Sequence, residues 1–197
     1  MAQKSILVMA VLLLLSLVPS GFAFDGYRSG FILGFGLGPG ITSFTQTVGA
    51  GTTSLTSDRE NTFGIHTDFR IGGGINEQVQ IYWISKVAWF SMDNIYGSSV
   101  TVANGMGGLG VTYYLLPQSP SWYFTGGLGF STWALPFESN SDTWYGLGMS
   151  GGAGYEFSPH WSVDLSFTYG NPNKDVMGIN VKTNALSIKA CINVLGY

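Results

Sequence analysis

The sequence predicts an all-β fold, an eight-stranded antiparallel up-and-down transmembrane β-barrel over residues 24–197. Three observations lead to this prediction. Polar and apolar residues alternate with period two over most of the chain after residue 24, as in strands with one apolar face. Many of the alternating segments reach the roughly 9–11 residues that a tilted strand needs to cross a bilayer. Short turns and longer polar loops alternate between them, which is typical of barrels that span a membrane.

The composition is unusual for a soluble protein and agrees with strands that face lipid. Charged residues make up 10% of the chain and aromatic residues 15%, against a typical charged fraction of about 25%. After residue 23 no apolar stretch approaches the length of a membrane-spanning helix. The formal net charge of −3 offers no basic surface, which excludes a nucleic-acid partner. Cys191 is the only cysteine, so an intramolecular disulfide is excluded.

Residues 1–23, MAQKSILVMAVLLLLSLVPSGFA, are predicted to be a cleaved signal peptide. Lys4 precedes an apolar run over residues 6–18, and a small-x-small cleavage pattern ends at Ala23. The run is shorter than the roughly 20 residues of a spanning helix, and an uncleaved N-terminal anchor is the alternative. The remaining chain has the length of one domain.

Eight segments carry the strand pattern. They cover residues 29–44, 61–73, 78–91, 100–116, 122–137, 143–157, 161–170 and 181–195. In FGIHTDFRI, which begins at Phe63, the odd-numbered positions hold Phe, Ile, Thr, Phe and Ile, and the even-numbered positions hold Gly, His, Asp and Arg. VQIYWISKVAW, WSVDLSFTY and ALSIKACINV separate two faces in the same way. Each of these segments therefore has an apolar face for lipid and a polar or small face for the interior.

The connections predict which strand ends lie together. GGINEQ, PQSPS and SPH are short and rich in turn-forming residues. TQTVGAGTTSLTSDREN, the segments 93–99 and 138–142, and GNPNKDVMG are mostly longer and polar. Aromatic residues gather near strand ends, where rings at the two membrane interfaces form girdles. They are Trp89, Phe90, Tyr113, Tyr114, Trp122, Tyr123, Trp144, Tyr145, Tyr155, Phe157 and Trp161.

Two glycine motifs, GMGGLG at 105–110 and GLGMSG at 146–151, match the G-x-G-x-x-G pattern of dinucleotide-binding loops. That loop requires a strand before it, a helix after it and an acidic residue about 20 positions on. No helical pattern follows either motif. Glycines on alternate positions instead place small residues on the inner wall of a strand, where they leave room for long side chains opposite. No nucleotide or other cofactor is expected.

The chain resembles the small eight-stranded outer-membrane barrels of Gram-negative bacteria, the group that contains the OmpA transmembrane domain and OmpX. The resemblance depends on the strand count, the loop asymmetry, FSPHWSVDLSFTY and the C-terminal INVLGY. It implies a place in the bacterial outer membrane, in contact with its lipid and lipopolysaccharide. It also implies that Leu195 and Tyr197 form the aromatic C-terminal signal read by the barrel-assembly machinery. The apolar residues from Ile188 to Val194 have the other parity, so either a bulge near Leu195–Gly196 restores the register or the assembly signal is weaker than usual.

The alternation places seven charged or titratable residues inside the barrel: His66, Asp68, Arg70, Lys86, Glu156, Asp164 and Lys189. An unpaired buried charge costs several kcal/mol, so these residues are expected to pair or to contact trapped water. Arg70, Glu156 and Asp164 are expected toward the periplasmic end, and the two lysines nearer the middle. A packed polar plug is the first interpretation. The alternative is a gate in which pairs exchange partners, as the resemblance to OmpA implies.

Catalysis is not expected. His160-Trp-Ser162 matches the start of a lipid A deacylase motif, but it lies in a short turn and no glutamate follows it. His66 has no second histidine or cysteine at metal-ligand spacing, and a contact with Asp68 is its predicted role. Cys191 is interpreted as a small interior packing residue.

The predicted role is structural or surface-interactive, with residues 46–60 available to a surface partner. The alternative is a narrow channel for small solutes or hydrophobic molecules. A second eight-stranded group, typified by OmpW, passes hydrophobic molecules through a lateral opening. Such a channel requires an apolar inner lining near the extracellular end, for which Ile32 and Trp133 are the candidates.

Overall fold

A computed structural model describes residues 26–51, 53–93, 97–138, 142–176 and 178–197. The predicted signal peptide, residues 1–23, lies outside them. This part of the chain forms ten strands: β1 (Gly30–Ala50), β2 (Thr53–Thr56), β3 (Glu60–Gly74), β4 (Val79–Asp93), β5 (Ser99–Tyr114), β6 (Ser121–Ala134), β7 (Trp144–Ser158), β8 (Trp161–Gly170), β9 (Asn173–Val176) and β10 (Ile179–Gly196). Across these residues, no helix has the length and apolar character needed to cross a membrane.

Eight of the strands close into a ring. From β3 to β8 each strand pairs with the next, β1 pairs with β3, β8 pairs with β10, and β10 returns to β1. All of these pairings are antiparallel. The predicted up-and-down barrel is therefore confirmed. Closure leaves no free strand edge toward lipid, so the backbone hydrogen bonds are made between strands.

β1 is longer than predicted, and β2 and β9 are additional strands. The alternation predicts an end at residue 44, but β1 continues to Ala50 and forms a hairpin in which Thr47 lies opposite Thr56. Residues 45–56 are mostly threonine, serine and glycine, so the two faces show no contrast in polarity, although threonine favours strands. β9 pairs with the start of β10. The first and last barrel strands thus project together beyond the ring.

The two ends of the barrel differ. The turn end carries the short connections 75–78, 115–120 and 159–160, the start of β1 and the end of β10. The loop end carries the longer connections, including the β1–β2 hairpin and β9. The alternation of short turns and long loops in the sequence therefore corresponds to the two opposite ends of one barrel.

Apolar side chains cover the outside of the barrel, and polar side chains fill much of the inside. Exposed residues on the outer face include Phe35, Ile41, Leu109, Leu128 and Leu165. The charged residues near the middle of the strands are all buried, namely Asp68, Arg70, Lys86, Asp164 and Lys189. This distribution is the one that a lipid solvent selects, because a charge on the lipid face has no partner there.

The aromatic residues near the strand ends do not all belong to girdles. Tyr114 and Tyr123 are buried inside the barrel, while their neighbours Tyr113 and Trp122 are exposed outside. Phe90 is also inside. Adjacent residues of a strand point to opposite faces, so an aromatic pair cannot lie wholly in one girdle. The girdle prediction is wrong for the inward member of each of these pairs.

The glycine motifs make room for interior rings. A Cβ at Gly110, the last glycine of GMGGLG, would overlap the ring of Tyr82. A Cβ at Gly154, three residues past the GLGMSG motif on the same strand, would overlap the ring of Tyr123. Both glycines lie on barrel strands, β5 and β7. Glycine is required here because bulky side chains from neighbouring strands lie against the inner wall.

A charge on the outer face is expected to destabilise the barrel. Leu165 lies mid-way along β8 and is 63% exposed. Leu165→Arg is therefore expected to lower the free energy of unfolding by about 2–4 kcal/mol, as measured by urea titration of the refolded chain in lipid vesicles. Leu165→Val is the uncharged control. Equal stability of the arginine variant and the parent would show that this face does not contact lipid.

Candidate functional site in the barrel interior

The interior contains three groups of buried side chains, one above another along the barrel axis. The turn-end cluster comprises Arg28, Tyr114, Ser119, Glu156 and Tyr197. The charged cluster in the middle comprises Asp68, Arg70, Lys86, Asp164 and Lys189. The aromatic cluster toward the loop end comprises Phe44, Phe90, Val102 and Trp133, with Ala88 and Ala185. Every residue in these groups except Ser119 is buried or nearly so.

Asp68 is the centre of the charged cluster. Its Oδ2 accepts a hydrogen bond from Nζ of Lys86, which lies directly opposite on β4. Its Oδ1 accepts a hydrogen bond from Nζ of Lys189 on β10. Nη2 of Arg70 lies 3.9 Å from Oδ2. One carboxylate therefore holds two lysines and lies beside an arginine, away from water.

Asp164 is the second carboxylate of the charged cluster. Its Oδ2 accepts hydrogen bonds from Arg70 Nη2 at 3.0 Å and from Asn193 Nδ2 at 2.9 Å. Its Oδ1 accepts a hydrogen bond from Ser166 Oγ at 3.2 Å. The charged cluster thus joins strands β3, β4, β8 and β10 through side chains. Three cations face two carboxylates in it, which leaves one excess positive charge among these five residues.

The structure brings together six of the seven predicted interior residues as ion pairs, in two separate groups. Glu156 pairs with Arg28 rather than with Arg70. His66 is buried in the interior, but both oxygens of Asp68 are bonded to lysines. Nε2 of His66 has no hydrogen-bond partner within the described part of the chain. The predicted contact between His66 and Asp68 is therefore wrong, because the lysines occupy the carboxylate.

Arg28 is the functional residue that sequence reasoning missed. It lies just before the first predicted strand, and a residue outside a strand has no face assigned by alternation. The Asp68–Lys86 pair follows from the register of the hairpin, which is centred on Glu77, because both residues lie nine positions from it. No comparable sequence pattern predicts the contact between Arg28 and Glu156, which are 128 residues apart.

The C-terminus is held inside the turn end. Tyr197 Oη donates a hydrogen bond to Glu156 Oε1 at 2.9 Å, and its ring lies 4.6 Å from that of His160. Leu195 is buried as well. The ladder with β1 runs without a shift from Leu37–Ile192 to Leu33–Gly196. Of the two alternatives, the bulge near Leu195–Gly196 is therefore absent, and Leu195 and Tyr197 lie on the inner face.

His160 is a turn residue. Its φ of 71° lies in the left-handed region, its backbone N–H donates to Tyr197 Oη at 3.1 Å, and its Nδ1 lies 3.0 Å from the Leu195 carbonyl. Ser162 Oγ lies 3.2 Å from Tyr123 Oη. The His-x-Ser motif is thus divided between a turn and an interior hydroxyl pair.

The aromatic cluster fills the interior toward the loop end. The ring of Phe44 lies 5.1 Å from that of Trp133 and 5.8 Å from that of Phe90. Trp133 and Phe90 are 5.7 Å apart. Trp133 lies where the sequence places it, whereas Ile32 packs near the turn end with Tyr82. The expectation for Ile32 is wrong because β1 starts at the turn end, so its third residue cannot reach the loop end.

Within the ranges that the structure describes, no group of three or more His, Cys, Asp or Glu side chains could hold a metal ion. Cys191 is buried in the interior as a free thiol.

Comparison with known proteins agrees with this architecture. The family model for the outer membrane protein beta-barrel domain matches residues 10–191. The solved structure of OprG from Pseudomonas aeruginosa is 9% identical, with a TM-score of 0.50, and the match covers 86% of this chain and 97% of that one. Neisserial surface protein A is 16% identical, with a TM-score of 0.43 and coverage of 81% and 96%. Ail of Yersinia pestis is 16% identical, with a TM-score of 0.36 and coverage of 79% and 97%. No curated protein matches the chain.

Proposed function

The chain belongs to the family of outer membrane protein beta-barrel domains, and from this premise we propose that it is a closed barrel that presents an interaction surface at its loop end. In this proposal the chain catalyses no reaction. The barrel anchors the protein in the outer membrane among lipid and lipopolysaccharide, after export by a cleaved signal peptide and insertion by the assembly machinery. The loop end faces the outside of the cell.

The observation that carries the closed interior is the succession of three buried clusters. Arg28 and Glu156 lie at the turn end, the lysines on Asp68 in the middle, and Trp133 with two phenylalanines toward the loop end. A barrel of eight strands has an interior just wide enough for side chains to fill. The bidentate Arg28–Glu156 pair, the other buried ion pairs and the packed rings across such a narrow lumen support a structural role for the interior.

The surface proposal is supported by the extension of the sheet beyond the ring. At the loop end the strand order is β2-β1-β10-β9, so four strands project together. Residues 53–56 of β2 are exposed along their whole length. Residues 46–60, which include this strand, are the proposed contact region for a surface partner. Loops on a rigid scaffold commonly carry binding functions.

Trypsin treatment of intact cells tests the orientation on which this proposal depends. Four basic residues are buried inside the barrel, namely Arg28, Arg70, Lys86 and Lys189. Three others lie at the loop end, namely Arg59, Lys174 and Lys182. The eighth lysine or arginine of the chain is Lys4. A folded barrel is therefore expected to be cut at the loop end alone.

We expect cleavage after Arg59 in intact cells that express the protein, with the remaining barrel intact, and loss of this cut in Arg59→Gln. Fragments are identified by mass. Cleavage that appears only after the outer membrane is permeabilised would place the loop end in the periplasm. The surface role would then be wrong.

A channel for small hydrophobic molecules is the second candidate, and one observation favours it. Bridge pairing between β1 and β10 is interrupted between Leu37–Ile192 and Gly40–Lys189, at Pro39, which has no N–H to donate. A groove of about 440 Å³ lies beside this interruption, lined by Ile41, Phe63, Leu165 and Ile188 among others. The interruption is a weak point through which an apolar molecule could pass sideways.

A disulfide between β1 and β10 beside this interruption distinguishes the closed barrel from the channel. Ile41 lies opposite Ile188, so Ile41→Cys with Ile188→Cys, in a Cys191→Ser background, joins the two strands by a disulfide. The closed-barrel proposal expects cells with and without the protein to take up an apolar fluorescent probe at equal rates. Faster uptake that this disulfide abolishes, and its reduction restores, would favour the channel.

A further inference from the structure

Three residues before β1 fold back over the turn end. This N-terminal strap, residues 27–29, is flanked by Gly26 and Gly30, whose φ angles of 84° and 98° lie in the region that favours glycine. Within the strap, Tyr27 is 61% exposed, whereas Arg28 is 1% exposed. The strap therefore directs one long charged side chain into the barrel mouth and leaves its neighbours outside.

Arg28 makes five hydrogen bonds inside the mouth, as many as a guanidinium has N–H donors. Nε and Nη2 donate to the two oxygens of Glu156, each at 3.1 Å. Nη1 donates to the carbonyls of Leu116 at 2.8 Å and Glu77 at 3.2 Å. Nη2 also donates to Ser119 Oγ at 3.4 Å. One side chain thus joins β7 to both of the turns at 75–78 and 115–120.

The Arg28 guanidinium also stacks on an aromatic ring inside the barrel mouth. The guanidinium carbon of Arg28 lies 3.9 Å from the centre of the Tyr114 ring. Glu156, the partner of Arg28, is also bound by Tyr197 from the C-terminus. Residues that precede the first barrel strand and follow the last one therefore meet on a single carboxylate across the mouth.

The strap is held on its outer side by a different group. The Glu77 carboxylate accepts hydrogen bonds from the backbone N–H of Arg28 at 2.8 Å, from that of Ser29 at 3.4 Å and from Ser29 Oγ at 2.7 Å. These bonds lie at the barrel rim, where water competes for them. The strap can therefore be weakened from outside without a change to the barrel interior.

We propose that the N-terminal strap is a removable closure of the turn-end mouth, with Arg28 as the side chain that fills it. Release of the strap opens the interior to water-soluble molecules from the turn side, as far as the charged cluster. This closure goes beyond the proposed surface role, since it concerns the opposite end of the barrel.

Cys191 supplies a native reporter for this closure. It is the only cysteine of the chain, it is buried in the interior, and it lies opposite Asp164 of the charged cluster. The probe is a small, membrane-impermeant sulfonated methanethiosulfonate, and the measured quantity is its rate of reaction with the refolded chain in lipid nanodiscs. Rates are divided by those of the same variants in denaturant.

We expect slow labelling of the parent and at least tenfold faster labelling of Arg28→Ala combined with Glu156→Gln, which leaves no unpaired carboxylate. Glu77→Ala, which removes only the outer contacts of the strap, is expected to accelerate labelling several-fold. Phe31→Ala is the control, because Phe31 follows the strap on β1 and is 48% exposed on the outer face, and its rate is expected to equal that of the parent.

Folding of each variant is checked by its heat-dependent mobility on gels. Fast labelling of the folded parent would overturn the proposal, and so would parent-like rates in both Glu77→Ala and the double variant. If the double variant does not fold, the labelling rate of Glu77→Ala alone tests the proposal. A parent that conducts ions would contradict the closed barrel of the proposed function, whereas the difference between variants tests the strap alone.

Discussion

Asp68→Asn is expected to lower the free energy of unfolding by about 3–5 kcal/mol, the cost of breaking a buried ion pair by removing one partner. The change leaves Lys86 and Lys189 without the carboxylate that both contact. Arg70 loses its second carboxylate neighbour as well. The excess positive charge of the cluster rises from one to two. The measurement is a urea titration of the refolded chain in lipid vesicles, which reports the free energy of unfolding.

The control restores the charge balance. Asp68→Asn combined with Lys86→Met returns the cluster to one excess positive charge, so we expect it to recover a large part of the lost stability. If the single variant lies within about 1 kcal/mol of the parent, the typical size of a screened surface pair, the interior is filled with water rather than with packed side chains. That result would contradict the interpretation of the charged cluster as a plug.

Trp133→Ala is expected to cost about 3–5 kcal/mol, as for other large aromatic residues removed from a core. Trp133 is 3% exposed and packs against Phe44 and Phe90. Its removal leaves a cavity toward the loop end, since the barrel wall cannot collapse into the space. The same urea titration measures the loss.

Trp122→Ala is the matched control, because Trp122 lies on the same strand but is 59% exposed on the outer face. We expect it to cost less than half as much as Trp133→Ala. Equal losses would show that position 133 gains no stability from interior packing. The aromatic cluster would then not close the loop end.

The sequence was sufficient to predict the barrel fold and to predict which side chains of each strand face the interior. Period-two alternation assigns Asp68, Lys86 and Lys189 to one side because the backbone of a strand leaves no other choice. Contact with lipid makes the polarity of the two faces differ more strongly, since few charges are tolerated on the outer face. The same rule shows why one ring of each adjacent aromatic pair, such as Tyr114 beside Tyr113, points inward.

The interior contacts could not be predicted in full, because they depend on which strands face one another across the lumen. Asp68 and Lys86 lie on one hairpin and follow from its register, whereas Lys189 reaches the same carboxylate from the last strand. Arg28 lies before the first strand, so its position depends on two glycines with positive φ rather than on a pattern of polarity. No pattern in the sequence predicts which basic residue pairs with Glu156.

Single-channel conductance of residues 24–197, refolded and inserted in a planar bilayer, tests the central claim most directly. The closed barrel predicts no steady conductance above that of the bare membrane, for the parent and for outer-face controls such as Leu165→Val. Steady conductance of the parent, changed in size or ion preference by Lys86→Ala and Lys189→Ala, would show that the interior is a path and would contradict the closed barrel.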